Sequence, residues 1–168
     1  MESLQPDVAL IKLEVPLVLS IENKTIPICI GKDLKPERGE GKDARMCVST
    51  GWGKNRYITG KMMPILQKVE VPLIPLNICI ERYESIANIT DSMICSGLEG
   101  HATCEGDSGG PLQCLESNPD QNGEERYYLY GLTSFAVGCA SAEFPSVNSR
   151  VPKFRDWIAE KILNEIDD

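Results

Sequence analysis

Seven cysteines, at positions 29, 47, 79, 95, 104, 114 and 139, constrain this 168-residue chain more than any other feature. None form a Cys-x-x-Cys pair, and His101 is the sole histidine. A zinc site therefore lacks its usual ligand spacing, and we expect no metal and no cofactor. A disulfide framework is the better reading, and it implies an oxidising compartment. An odd count leaves one cysteine over, as either a free thiol or a link outside the chain. Two sequons, Asn23-Lys24-Thr25 and Asn88-Ile89-Thr90, agree with extracellular localisation and mark Asn23 and Asn88 as candidate glycosylation sites. Residues 1–20 carry Asp7, Lys12 and Glu14 among the apolar positions, so they do not read as a signal peptide. An export signal is expected upstream of Met1.

The net charge of −8 disfavours nucleic acid and anionic membrane as partners, because both require a basic face. No apolar run reaches the length of about 18 residues needed to span a bilayer. A hydrophobic fraction of 42% suits a globular core. Residues 8–19 read as a buried strand or strand pair. Residues 31–46 mix charges with Gly31, Pro36, Gly39 and Gly41, and read as a surface linker. From Cys47 onward short strand signals recur: an alternation around Val69, Val71 and Leu73, then Ser92–Ser96, Leu112–Leu115, Tyr127–Phe135 and Ser146–Val151. Leu76, Cys79, Ile80 and Tyr83 fall at helical spacing after Pro75. Phe154, Trp157, Ile158 and Ile162 form one apolar stripe behind Pro152, which predicts an amphipathic C-terminal helix. The chain is expected to be all-β, a barrel or sandwich of short antiparallel strands.

Gly106-Asp107-Ser108-Gly109-Gly110-Pro111 is the sharpest segment. Glycines around a serine let the backbone turn tightly and present the hydroxyl and neighbouring amides, which acyl transfer requires. The hexapeptide resembles the active-site signature of chymotrypsin-like serine proteases. Asp7-Val8-Ala9-Leu10-Ile11-Lys12-Leu13, Thr50-Gly51-Trp52-Gly53, Ser134-Phe135 before Gly138-Cys139-Ala140, and Arg150-Val151 with Trp157-Ile158 resemble further landmarks of that family, in family order. The fold this implies is a chymotrypsin-like double Greek-key β-barrel. Residues 1–28 would be a remnant of the first barrel, 29–46 the interbarrel linker, 47–151 the second barrel and 152–168 the C-terminal helix.

The resemblance also implies roles. Ser108 would be the nucleophile, Asp7 the triad acid, and the amides of Gly106 and Ser108 the oxyanion hole. In an active enzyme, cut from its zymogen, Asp107 would pair with the newly formed N-terminal ammonium and so order that hole. Ala102, Ser134, Phe135, Ala136 and Ser146 would contact substrate. Ala102 supplies no counter-charge for lysine or arginine, and Ala136 and Ser146 would narrow the pocket. The family's disulfide map pairs Cys47–Cys114, Cys79–Cys95 and Cys104–Cys139. Cys29 is left unpaired, or tethers an upstream chain or propeptide. No residue can serve as triad histidine, since His101 lies in the loop before Ser108. A serine without its base is a weak nucleophile. The implied function is a secreted serine endopeptidase acting on proteins or peptides, with this chain a fragment inactive alone. The alternative is a non-catalytic homologue that binds.

Overall fold

The computed structural model describes residues 7–33, 45–118, 124–141 and 143–164. Seven strands form one sheet: β1 (Cys29–Ile30), β2 (Met46–Gly51), β3 (Gln67–Ile74), β4 (Met93–Ser96), β5 (Pro111–Asn118), β6 (Glu124–Phe135) and β7 (Ser146–Arg150). Their order is β1-β6-β5-β2-β3-β4-β7, and β7 pairs back onto β6, so six strands close into an antiparallel barrel. Closure removes the exposed edges that an open sheet would leave. β1 adds outside it, parallel to β6, with Cys29 opposite Tyr128.

The long β6 makes closure possible. It pairs with β5 along its first part and with β7 along its second, and both ladders contain a register shift. The shift against β7 falls between Thr133 and Phe135, so Ser134 is the extra residue. A bulge of this kind bends a strand and re-aims one side chain.

The alternation expected in β3 holds from Lys68 to Val71 and then ends, since Pro72, Leu73 and Ile74 are all buried. Val71 and Leu73 pack with Cys47, Ile94, Leu112, Cys114 and Tyr130 into one core cluster. A second cluster gathers Ile74, Cys79, Tyr83, Ile89, Met93, Cys95 and Val147. Three disulfides cross-link the barrel: Cys47–Cys114, Cys79–Cys95 and Cys104–Cys139. Cys29 is exposed and free.

Helix α1 (Leu76–Tyr83) follows Pro75 as its spacing predicts, with Cys79 and Tyr83 buried. Ile80 departs from the expectation and is exposed, because Cys79 takes the inward position through its bridge to Cys95. At the C-terminus a 3₁₀ turn spans Val151–Phe154, and helix α2 follows at Arg155–Asn164. Trp157 and Ile158 are half-covered while Ile162 is exposed, so α2 lies only lightly on the barrel.

The expectation for residues 8–19 is overturned. They form no strand, the nearest pairing being the isolated bridge from Ser20 to Thr25, and Ile11, Val15 and Val18 are exposed, Ile11 to 86%. An apolar sequence becomes a buried strand only where a neighbouring strand accepts its hydrogen bonds and a second layer covers it. None of the described strands does either for this segment. Among the described residues no helix is long and apolar enough to cross a membrane.

Candidate active site

The chain around Ser108 is a tight turn leading into β5. Asp107 N–H donates to Cys104 O at 3.0 Å and Gly110 N–H donates to Asp107 O at 2.9 Å. Gly109 N–H then reaches Thr133 O at 2.8 Å, and Thr133 N–H returns to Gly110 O at 2.9 Å. The turn is thereby fastened to β6. Gly106 and Gly109 have φ of +94° and +78°, which a residue with a Cβ adopts only under strain. Ser108 is exposed at the tip. Among the described residues, the N–H groups of Gly106 and Ser108 donate to no protein acceptor. The turn thus presents two unpaired amides beside an exposed hydroxyl.

Ser108 opens onto a cavity of about 290 Å³, walled by Thr103, Thr133, Phe135, Ala136 and the Cys104–Cys139 bridge. Tyr57, from the loop of residues 52–66, also lines it. Behind the wall, the Tyr83 ring meets Phe135 edge-on at 5.8 Å between centroids. Its hydroxyl donates to Pro145 O at 2.8 Å, and burial raises its pKa above the ordinary tyrosine value. Of the five residues expected to contact substrate, Ser134, Phe135 and Ala136 line the cavity. Ser146 does not. It is buried behind Thr103, whose Oγ1 donates to its hydroxyl at 3.0 Å. Ala102 lines a neighbouring cleft of about 350 Å³ together with Asp107.

Asp107 is held by main-chain donors. Gly53 N–H donates to Oδ1 at 2.8 Å and Cys104 N–H donates to Oδ2 at 3.0 Å. Gly51 and Gly53 leave room for it, since a Cβ on Gly53 would lie 2.6 Å from either carboxylate oxygen.

Asp7 sits on the same barrel end. The hydroxyl of Ser134, the bulged residue of β6, donates to its Oδ2 at 3.2 Å. Ser149, buried on β7, grips the main chain of Asp7: its hydroxyl donates to Asp7 O at 2.8 Å and accepts from Asp7 N–H at 3.2 Å. Sequence reasoning missed Ser149, because a serine in a strand carries no signal of a partner 142 residues away. It also missed the contact between Ser134 and Asp7, which depends on the bulge.

His101 lies elsewhere. It is exposed on a turn, bridged to Leu98, with Nδ1 3.3 Å from Glu99 O, and it does not line the Ser108 cavity. Asn23 and Asn88 are both exposed. Among the described residues no group of three or more His, Cys, Asp or Glu side chains could hold a metal.

The trypsin family model matches residues 1–158. Transmembrane protease serine 9 of Rattus norvegicus is 36% identical over 162 residues, covering 95% of this chain and 14% of that protein. The solved structure of neuropsin, a serine protease expressed in the limbic system of mouse brain, superposes with a TM-score of 0.67 at 29% identity. That superposition covers 83% of this chain and 55% of neuropsin. The chain thus spans about half or less of these relatives. Serine turn, closed barrel and family match agree: the chain belongs to the trypsin family of serine proteases.

Proposed function

We propose that the chain supplies the nucleophile, the oxyanion hole and the triad acid of a secreted serine endopeptidase, and that it does not turn over by itself. Ser108 attacks the scissile carbonyl, and the amides of Gly106 and Ser108 receive the oxyanion. Asp7, held by Ser134 and Ser149, orients and supports an imidazolium contributed by a first barrel that this chain does not contain. Residues 47–151 are the second barrel, residues 1–28 a remnant of the first and 29–46 the linker between them. The exposed apolar side chains of residues 8–28 support this reading, because they have the composition of strands that need partners. Cys29, exposed on β1, is open to a bridge with an upstream chain or propeptide.

The observation that carries the proposal is the Ser108 turn, with its hydroxyl and two unpaired amides at the mouth of a cavity. Losing the base of such a triad costs on the order of 10⁶ in turnover. Asp107 lines a cleft of about 350 Å³, which supports activation by an N-terminal ammonium. Its two amide donors hold the carboxylate meanwhile.

Peptide-ester hydrolysis by the purified, oxidised chain tests the reading. The expected rate equals that of Ser108→Ala. Hydrolysis that depends on Ser108 would show that the chain holds a complete catalytic apparatus.

A further inference from the structure

Asn88-Ile89-Thr90 lies in the loop of residues 84–92 that joins α1 to β4. Its three side chains have different surroundings. Ile89 is buried in the second core cluster beside Cys79 and Tyr83. The Thr90 hydroxyl lies 2.7 Å from that of Ser92. Asn88 is exposed, and its side chain makes no hydrogen bond among the described residues.

The backbone on either side is fixed. Ile86 N–H and Ala87 N–H both donate to Tyr83 O, at 2.8 and 2.9 Å. Met93 N–H donates to Thr90 O at 3.1 Å and Arg150 N–H donates to Ser92 O at 2.8 Å. A free amide thus projects from a pinned loop, and a bulky group attached there disturbs no packing. Two apolar side chains, Ile80 on α1 and Ile86 two residues before Asn88, are exposed along the same stretch. Phe135, on the strand that walls the Ser108 cavity, packs on the cluster that holds Ile89.

We propose that Asn88 carries an N-linked oligosaccharide, which covers the exposed apolar surface of Ile86 and stands on the flank of the substrate strand. The inference rests on the reading of the chain as exported. The donor is an oligosaccharide on a lipid diphosphate. The Asn88 Nδ2 forms a bond to the anomeric carbon and the bond from that carbon to the diphosphate oxygen breaks. The lipid diphosphate leaves with the electron pair, and the amide proton passes to solvent.

Asn23 is also exposed, in the turn closed by the Ser20–Thr25 bridge, so the test removes it. The full chain carrying Asn23→Gln is translated behind a cleavable export leader in the presence of endoplasmic-reticulum microsomes. Translocation is scored by protection from added protease. We expect the protected chain to show one mobility shift that endoglycosidase removes. Adding Asn88→Gln abolishes the shift, as does adding Thr90→Ala. A protected chain without the shift overturns the proposal and leaves the export reading intact. Failure of every chain to be protected overturns the export reading, and the glycan with it. Glycosylated chain that no longer forms the Cys79–Cys95 bridge, scored by non-reducing digest, refutes the claim that the pinned loop accommodates the sugar.

Discussion

Gly53→Ala tests whether the serine turn is organised by the Asp107 carboxylate. A methyl at position 53 would lie 2.5 Å from Asp107 Cγ and 2.6 Å from both oxygens. Ordinary contacts of this kind fall at about 3.5–4.0 Å, so the carboxylate must retreat by roughly 1 Å. Gly53 N–H and Oδ1 are 2.8 Å apart at present, so that retreat carries them beyond hydrogen-bonding range. Hydrogen bonds to charged groups contribute about 1.5–3 kcal/mol each, and overpacking adds about 1–3 kcal/mol. Partial rehydration of a half-buried carboxylate offsets some of this, which leaves about 3 kcal/mol. The assay is urea unfolding of the oxidised chain, run as a double-mutant cycle with Asp107→Ala. Gly53 has no left-handed φ, so alanine fits its backbone once the carboxylate is gone. The same Gly53→Ala change should then cost about zero, a coupling of about 3 kcal/mol between neighbours. A cost below about 1 kcal/mol in the wild-type background, or an equal cost in both backgrounds, would refute the reasoning.

Replacing both cysteines of Cys47–Cys114, whose residues are 67 apart, should destabilise more than replacing those of Cys79–Cys95, 16 apart. All four are buried, so packing losses are comparable and the chain-entropy difference of about 1.3 kcal/mol should show in urea midpoints. Tyr130 is buried and donates to Glu116, and burial first, then that carboxylate, pushes its pKa far above 10. A raised native pKa means the native state holds its proton more tightly, so this contribution is intact below about pH 10 and lost as pH rises above it. Stability measured from pH 9 to 11.5 should fall in the upper part of that range, and Tyr130→Phe should flatten the fall; an unchanged slope would exclude Tyr130 as its source. In an enzyme completed with its first barrel, Ala136 on the cavity wall favours neutral side chains of small to medium size before the scissile bond, because Glu105, the carboxylate lining that cavity, is already paired with Lys54. A dominant arginine or lysine preference in a peptide-library profile would show that assignment to be wrong.

The barrel was legible because short strand signals recur between punctuating residues, as at Ser92–Ser96 and Ser146–Val151, where β4 and β7 lie buried along their whole length. The serine turn was legible because its glycines are local requirements: positive φ at Gly106 and Gly109 is set by the turn itself. What escaped depends on contacts across the fold. Residues 8–19 have a strand's composition, but a strand exists only with a partner, and composition does not report one. Ile80 shares the periodicity of α1 yet faces out, because the bridge of its neighbour Cys79 sets the helix rotation. Ser146 aligned with the pocket but turns into a hydrogen bond with Thr103, a pairing of two side chains 43 residues apart. Ser149 and the bulged Ser134 hold Asp7 from two strands that follow it by more than 120 residues, and nothing in the spacing of serines announces that.

The central claim is that this chain carries a nucleophile and its acid without the base that joins them. Fluorophosphonate labelling addresses it directly, because the reagent reacts with an activated serine and leaves an ordinary hydroxyl alone. Intact-mass and peptide analysis of the oxidised chain after exposure should show no adduct at Ser108 above the Ser108→Ala background. Stoichiometric phosphonylation of Ser108 would contradict the account.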